Sequence, residues 1–257
     1  MERLEAAHYL LQKGIFFTGK KRANGAEMLY NDAIKDQYWN YATSVSATKP
    51  IELIREVECF YSRKHVTPSF YITPKTRPKG MSRMLARHGY RLAYSDAWMV
   101  YRGKALKRTE VEVREVNSKV EMRRFAAVFG SVYGKSGTGP YKDLQSGYAM
   151  TILASYRKRH PGRAVKYYLA YLNGSPVGCA MLIAGGKYAG LYGLGVLPRF
   201  RNRGVASALM AGRIQEVINR KASVIFLQTE SGSKNERIFK RLGFRNEFTG
   251  RCFVKNR

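Results

Sequence analysis

One segment, Val196-Leu-Pro-Arg-Phe-Arg-Asn-Arg-Gly-Val-Ala206, passes from an apolar, strand-like run through a short basic loop into a helical run. The first N–H groups of a helix have no partner within the helix and carry a partial positive charge. Gly204 and Ala206 are small enough for a diphosphate to approach the main chain, and the arginines add cationic side chains. The segment therefore predicts a phosphate-binding site without a P-loop lysine.

Hydrophobic periodicity predicts a regular order of elements around this segment. Upstream, a strand at 111–116 precedes a helix capped by Ser118, a second helix at about 141–159 and three strands joined by glycine-containing turns. Downstream, a helix at 205–221 leads to a strand at 224–228, a last helix and a closing strand. This order predicts an α/β domain with a mixed, mostly antiparallel central sheet flanked by helices.

The basic loop and the elements around it resemble the GNAT superfamily of N-acetyltransferases. Arg201-Asn-Arg-Gly-Val-Ala206 is similar to its R/Q-x-x-G-x-G/A motif, and Ile238-Phe-Lys-Arg-Leu-Gly-Phe244 is similar to a later motif, so that the likeness covers residues 110–257. The resemblance implies acetyl-CoA as the donor, an amine acceptor, direct transfer of the acetyl group and no metal. The cofactor-binding residues that it implies are Gly195, Val196, Leu197, Arg201, Asn202, Arg203, Gly204, Val205, Ala206, Asn235 and Phe239.

The family also implies a cleft beside the strand that precedes the loop, with a main-chain N–H near Val196 stabilising the oxyanion. Many members carry a tyrosine where this chain has Phe239, which cannot donate a proton to the departing thiolate. Tyr192 or a water is the alternative donor. Glu230 is the first choice for the base. The equal alternative is that Glu230 has no catalytic role and is only a solvated carboxylate at the end of a strand. His160 is a distant second choice and is better read as a helix-end histidine.

The first half of the chain can be compared with the second by aligning Gly89 with Gly243, a shift of 154 residues. Strand-like and helix-like segments then fall on each other without gaps, which indicates a tandem of a degenerate GNAT-like or accessory domain, residues 1–105, and an intact copy, residues 106–257. The same shift places Ala47-Thr-Lys-Pro-Ile-Glu52 opposite the basic loop. That segment has no glycine, so we expect the first copy not to bind the cofactor.

Charge and composition leave several function classes open. The chain has 46 Lys and Arg against 18 Asp and Glu, a formal net charge of +28, which attracts anions in general. A catalytically inactive CoA-binding or regulatory module and a basic nucleic-acid- or ribosome-associated protein are therefore alternatives to an active transferase. The acidic start of the sequence and the lack of a long apolar run predict a cytoplasmic protein without a membrane segment. Three widely spaced cysteines predict structural core residues, namely Cys59, Cys179 and Cys252.

Overall fold

The computed structural model describes residues 4–103, 106, 110–134 and 147–256, and its chain divides into two compact units. Unit 1 comprises Met1–Trp98, Thr229–Glu236 and Asn246–Arg257, and unit 2 comprises Met99–Gln228 and Arg237–Arg245. The units thus interleave in sequence. The division into copies at residues 1–105 and 106–257 stays a prediction, and most of the segment that would link them lies outside the described residues.

Unit 1 contains three helices and most of six strands among the described residues. Their bounds are α1 Leu4–Gln12, β1 Gly19–Ala23, β2 Ala26–Tyr30, β3 Tyr41–Thr43, α2 Pro50–Arg63, β4 Ser69–Ile72, α3 Met81–Arg87, β5 Tyr90–Tyr101 and β11 Phe244–Lys255. The strands lie in the order β1-β2-β3-β4-β11-β5. The β3–β4 pair is parallel, at Ala42 and Phe70, whereas β1–β2, β2–β3 and β4–β11 are antiparallel.

The core of unit 1 forms beneath α2, because the apolar residues of this helix recur at helical spacing. Leu53, Val57 and Tyr61 are fully buried on one face. They belong to one cluster with Phe70 of β4 and Phe253 of β11. The helix therefore holds strands from distant parts of the sequence in one core.

The final strand of the chain, β11, completes unit 1. It pairs antiparallel with β4, and Phe253 lies opposite Phe70. The N–H of Lys255 donates to Pro68 O at 3.0 Å, and the N–H of Asn256 donates to Gly89 O at 2.8 Å. A fragment of residues 1–105 would lack this strand, so binding experiments on the first half require the whole chain.

Unit 2 contains most of the elements that the sequence predicts for the second half. Their bounds are β6 Glu112–Glu115, α4 Lys119–Tyr133, α5 Gly147–Tyr156, β7 Ala164–Leu172, β8 Ser175–Gly185, β9 Tyr188–Val196, α6 Val205–Asn219, β10 Val224–Glu230 and α7 Lys234–Arg241. The strands lie in the order β10-β9-β8-β7-β6, parallel at β9–β10 and antiparallel elsewhere. The predicted fold class, a mixed and mostly antiparallel sheet flanked by helices, is confirmed.

Two helices of unit 2 cover opposite faces of its sheet. A Cβ added at Gly178 of β8 would meet side chains of α6, whereas one added at Gly195, which pairs with the next residue of β8, would meet side chains of α4. Helix α4 begins where predicted, because Ser118 Oγ accepts from the N–H of Glu121 at 3.1 Å and the Glu121 carboxylate accepts from the N–H of Asn117 at 3.0 Å.

The cysteine prediction is correct for Cys179 and Cys252, which are buried, and wrong for Cys59, which is exposed on α2. The inward face of that helix carries Val57 and Tyr61, so the residue midway between them points to solvent. Within the part of the chain that the structure describes, no helix has both the length and the apolar composition required to cross a membrane.

A buried histidine should make the stability of unit 1 depend on pH. His8 stacks on Trp39, with ring centroids 5.9 Å apart, and burial lowers its pKa to about 3. Below its ordinary pKa of 6.5, the unfolded chain binds a proton that the folded chain does not. The free energy of unfolding should therefore fall as pH decreases from 6.5 toward 3, by about 2 kcal/mol at pH 5.

This loss can be measured by urea unfolding at pH 7.5 and 5, followed by tryptophan fluorescence. Both tryptophans, Trp39 and Trp98, lie in unit 1. In His8→Phe, the free energy of unfolding should fall by about 2 kcal/mol less between pH 7.5 and pH 5 than it does in the wild type. The control is His65→Asn, at an exposed position with φ of 53° that asparagine tolerates. Equal pH dependence in wild type and His8→Phe would contradict the assignment.

Candidate active site

The basic loop leads into the N-terminus of α6, and its backbone leaves that helix end open to an anion. Asn202 and Gly204, the N-cap, both adopt left-handed conformations, with φ of 62° and 78°. The N–H of Ala208 makes the first helical bond, to Gly204 O at 2.9 Å, and no side chain caps the helix. The N–H groups of residues 205–207 therefore precede the intrahelical ladder, as in phosphate-binding helix ends.

Three exposed arginines belong to this loop. Arg201 Nε donates to Val196 O at 3.3 Å. The guanidinium carbons of Arg199 and Arg203 lie 4.8 and 5.8 Å from the ring centroid of Phe200. The loop thus carries cationic groups next to the uncapped helix end, and each can bind a phosphate oxygen.

Strands β9 and β10 separate beside this loop. Their parallel pairing ends at Gly190 and Phe226, although β9 continues to Val196 and β10 to Glu230. Beyond that point the two strands do not pair with each other. Main-chain groups on the separated edges can therefore bind an extended ligand in the way that a sheet edge binds an added strand.

Strand β9 also contains a bulge near the separation. Cys179 of β8 pairs with Gly195, whereas Met181 pairs with Tyr192, so β9 has two residues where β8 has one. Gly193, one of the two, has φ of 57°, which glycine adopts without the strain that a side chain adds. Bulges of this kind turn main-chain groups out of the ladder and are frequent beside active sites.

The main-chain N–H groups of Gly195, Val196 and Leu197 differ in their surroundings. The N–H of Leu197 donates to Val177 O at 2.9 Å, because this residue still follows the ladder with β8. The N–H of Gly195 bonds to the Cys179 thiol. Since successive residues of a strand point their N–H groups to opposite edges, the N–H of Val196 faces the separated edge of β9.

The two predicted catalytic residues lie in different units. Tyr192 belongs to unit 2, where its ring lies over Gly190 of the same strand and 6.3 Å from the ring centroid of Phe226. Glu230 belongs to unit 1, at the end of β10. The pKa of Tyr38 in unit 1 is raised to about 12, mainly by burial and in small part by the charge of Glu230. The catalytic roles of both residues stay predictions.

The remaining predicted residues lie on or near helices. Asn235 is exposed at the start of α7, and Phe239 is half-buried on the same helix, with its ring centroid 6.0 Å from that of Phe244. His160 Nε2 lies 3.0 Å from Ser155 O near the end of α5, as expected of a helix-end histidine. Among the residues that the structure describes, no group of three or more His, Cys, Asp or Glu is placed to hold a metal.

Arg213 of α6 is a residue that sequence reasoning missed. It is fully buried and donates to Leu209 O at 3.0 Å, Met181 O at 2.9 Å and Tyr192 O at 3.2 Å. Burial lowers its pKa to about 10, so it remains charged at neutral pH. The available signal was its spacing, four residues from both Leu209 and Val217 on the apolar face of the helix.

The 154-residue shift places β3 and β4 of unit 1 opposite β9 and β10, and other residues of unit 1 bond to the main chain beyond the point where β3 and β4 pair. After the parallel pair of Ala42 and Phe70, the segment that follows β3 bonds to Arg77, in the loop after β4. The N–H of Arg77 donates to Val45 O at 2.8 Å, and its carbonyl accepts from the N–H of Ala47 at 3.1 Å. These bonds use edge groups that would otherwise be available to an extended ligand.

A carboxylate also lies where these two strands end. Glu5 of α1 accepts from Thr43 Oγ1 at 2.9 Å and from Thr73 Oγ1 at 3.2 Å, and burial raises its pKa against the effect of these bonds. The following helix, α2, has Lys49 as N-cap and Pro50 in its first turn. Because proline has no N–H, this helix end offers one donor fewer to a phosphate.

Comparison with known proteins gives a family match for part of the chain and several structural neighbours. Residues 136–244 match the family model described as the acetyltransferase (GNAT) family. A GCN5-related N-acetyltransferase from Kribbella flavida is 18% identical with a TM-score of 0.72, over 98% of this chain and 95% of that chain. One from Sphaerobacter thermophilus is 16% identical with a TM-score of 0.68, over 92% and 82%. No curated protein sequence matches the chain.

A tandem GNAT protein from the clavulanic acid biosynthesis pathway is 12% identical with a TM-score of 0.63, over 91% of this chain and 79% of that chain. At such identities the structural likenesses show a shared fold. Residues 136–244 thus match the GNAT family model, and the uncapped end of α6 and the separated strands lie within the matched residues. The resemblance stated from the sequence is confirmed, while the degenerate copy in the first half stays a prediction.

We predict that Gly204→Glu abolishes acetyl-CoA binding while the protein stays folded, because it places a carboxylate at the uncapped end of α6. The matched control is Gly174→Glu in the β7–β8 turn. Gly174 has φ of 73°, close to the 78° of Gly204, and an added Cβ would have open space at Gly174 and only Val111, at 4.0 Å, at Gly204. Both variants therefore carry similar strain, of about 1–2 kcal/mol.

The melting temperatures of the two variants should fall by similar amounts. In calorimetric titrations with acetyl-CoA, Gly174→Glu should bind like the wild type and Gly204→Glu should not bind. A folded Gly204→Glu protein with unchanged affinity would show that the pyrophosphate does not lie at this loop.

Proposed function

We propose that this protein is an N-acyltransferase that moves an acetyl group from acetyl-CoA directly to an amine. The proposal rests mainly on the uncapped N-terminus of α6. It follows strand β9, whose pairing with β10 stops at Gly190, and both features lie within the residues that match the GNAT family model. The pyrophosphate would bind at residues 201–206, and the pantetheine arm along Gly195, Val196 and Leu197. Asn235 and Phe239 are proposed as further cofactor contacts.

Direct transfer requires an oxyanion donor, a base and a route for the thiolate to leave. We assign the donor to the N–H of Val196 and the base to Glu230, which would take a proton from the acceptor ammonium. Phe239 cannot protonate the thiolate, so Tyr192 or a water does so. The thiolate needs little help, because a thiol with a pKa of about 8.5 yields a weakly basic leaving group.

Phe239 also favours a second candidate function, a CoA-binding module that does not catalyse transfer. Bound cofactor without turnover on any amine would identify it. A nucleic-acid or ribosome partner is supported neither by the fold nor by the comparisons, and none is proposed. The net charge of +28 disfavours free polyamines as acceptors and favours acceptors that carry negative charge near the amine. Cytoplasmic location stays a prediction.

We further propose that each chain binds one cofactor. In unit 1, the bonds of Arg77 to Val45 and Ala47 use the edge that a pantetheine arm would need, and Glu5 places a carboxylate at the ends of β3 and β4. Pro50 removes a phosphate donor from the helix that follows. The first half would therefore serve a role other than cofactor binding.

Titration of the full-length chain with acetyl-CoA at moderate salt tests both parts of this proposal. We expect saturable binding with one site per chain, and much weaker binding of dephospho-CoA and ATP, which control for general attraction of anions. Two sites per chain would contradict the closed cleft of unit 1. Equal binding of all three anions would contradict a specific cofactor site.

We predict that Glu230→Gln lowers kcat by about 10²–10⁴-fold with any amine acceptor found by screening, because the neutral amide cannot accept the proton. The affinity for acetyl-CoA should stay within twofold of wild type. Release of the CoA thiol measures the rate, and Glu52→Gln, an exposed residue paired with Lys49 on α2, is the control. A rate for Glu230→Gln equal to that of the control would exclude Glu230 as the base.

A further inference from the structure

Three successive carbonyl groups in the bulge of β9 each accept a hydrogen bond from a side chain of a different element. In a regular ladder such groups bond to the neighbouring strand, but the bulge interrupts that pattern. The three bonds run from Arg213 of α6 to Tyr192 O at 3.2 Å, from Cys179 of β8 to Gly193 O at 3.8 Å, and from Tyr133 of α4 to Leu194 O at 2.6 Å. We refer to Arg213, Cys179 and Tyr133 as the carbonyl clamp.

The carbonyl clamp sets the directions of main-chain N–H groups as well. In a trans peptide the C=O of one residue and the N–H of the next point in opposite directions from one rigid plane. Holding the carbonyls of Tyr192 and Gly193 therefore directs the N–H groups of Gly193 and Leu194. Holding the carbonyl of Leu194 directs the N–H of Gly195 toward Cys179, and the N–H of Val196 follows at the separated edge of the strand.

Arg213 is a buried cation, which distinguishes the carbonyl clamp from ordinary side-chain packing. Its guanidinium is completely buried, and within the described part of the chain its hydrogen-bond acceptors are carbonyl oxygens and the sulfur of Met210, at 2.8 Å, with no carboxylate among them. Burying a cation without a carboxylate is costly, because neutral acceptors return only part of its hydration. Its charge also polarises the peptide groups that it bonds, which strengthens the N–H at the far end of each.

We infer that the carbonyl clamp fixes the three peptide groups of β9 that precede Gly195, and thereby positions the next main-chain donor, the N–H of Val196, to bind the thioester carbonyl of acetyl-CoA. This inference rests on the proposed function. Arg213, Cys179 and Tyr133 are positioning residues, because each acts through a peptide group of β9. The Cys179 thiol stays protonated and able to donate at neutral pH, since burial raises its pKa to about 12. The clamp thereby couples helices on both faces of the sheet to one short stretch of strand.

The test uses acetyl-CoA labelled with ¹³C at the thioester carbonyl, so that no acceptor need be known. Hydrogen bonding to this carbonyl lowers its infrared stretching frequency, and isotope-edited difference spectra isolate the band in the bound state. Tyr133→Phe keeps the ring and removes one clamp donor. Arg213→Lys keeps the charge and removes the guanidinium, whose Nη1 donates to Met181 O and Tyr192 O and whose Nε donates to Leu209 O. The control is Tyr171→Phe, which removes a buried hydroxyl without a hydrogen-bond partner in the described chain.

We expect the bound carbonyl of the wild type and Tyr171→Phe to absorb at lower frequency than free acetyl-CoA. In Tyr133→Phe and Arg213→Lys the band should return most of the way to the free value, with the affinity for CoA itself within twofold of wild type. With an acceptor, kcat should fall about tenfold at unchanged KM, less than the roughly 10²–10³-fold effect of deleting an oxyanion donor. A purely structural role would lower the melting temperature without moving the band.

Two results would overturn the inference. If the frequency shift seen in the wild type persists in folded Tyr133→Phe and folded Arg213→Lys, the clamp has no positioning role. That result would not contradict the proposed function. If the wild type does not bind acetyl-CoA, or binds it without a shift of the carbonyl frequency, both the proposed function and the role of the clamp are contradicted. Tyr133→Phe keeps the test decisive even if Arg213→Lys does not fold, because it deletes only one oxygen.

Discussion

The hydrogen-bond ladder between β9 and β10 ends at Gly190 and Phe226, and the candidate site depends on that end. A strand that loses its neighbour exposes polar main-chain groups, which are costly to leave unsatisfied. Here some of them are satisfied by side chains, as at the bulge, and Val196 is left facing the separated edge. The same strand then turns through Pro198 into α6, so the helix end and the strand edge are held on one continuous segment.

In unit 1, beyond the single pair between β3 and β4, main-chain groups are bonded by other residues of the same unit. There the loop residue Arg77 bonds to the segment after β3, and the carboxylate of Glu5 accepts two threonine hydroxyls. Main-chain groups that are already hydrogen-bonded within the unit are not available to bind an extended ligand. The contrast between the two units therefore lies in the partners of a few main-chain groups, while the order of helices and strands is nearly the same.

The element order and the basic loop were predictable because their signals are local. Hydrophobic period, turn glycines and the Ser118 cap each act within a few residues, and the positive φ at Gly204 agrees with the phosphate-loop interpretation. The bulge was not predictable, because Gly193 in an apolar strand looks like any strand glycine until its partner strand is known. Two acceptors of Arg213, Met181 O and Tyr192 O, come from strands distant in sequence, and only the fold brings them to this helix.

The place of β11 has a consequence for synthesis of the chain. Phe70 is made long before its partner Phe253, so unit 1 cannot complete its sheet until β11 has also been made. Until then the edge of β4 that β11 covers is unpaired, and such an edge can pair with other chains. The part of unit 1 that is made first therefore cannot finish folding by itself, because it depends on β11 to close that edge.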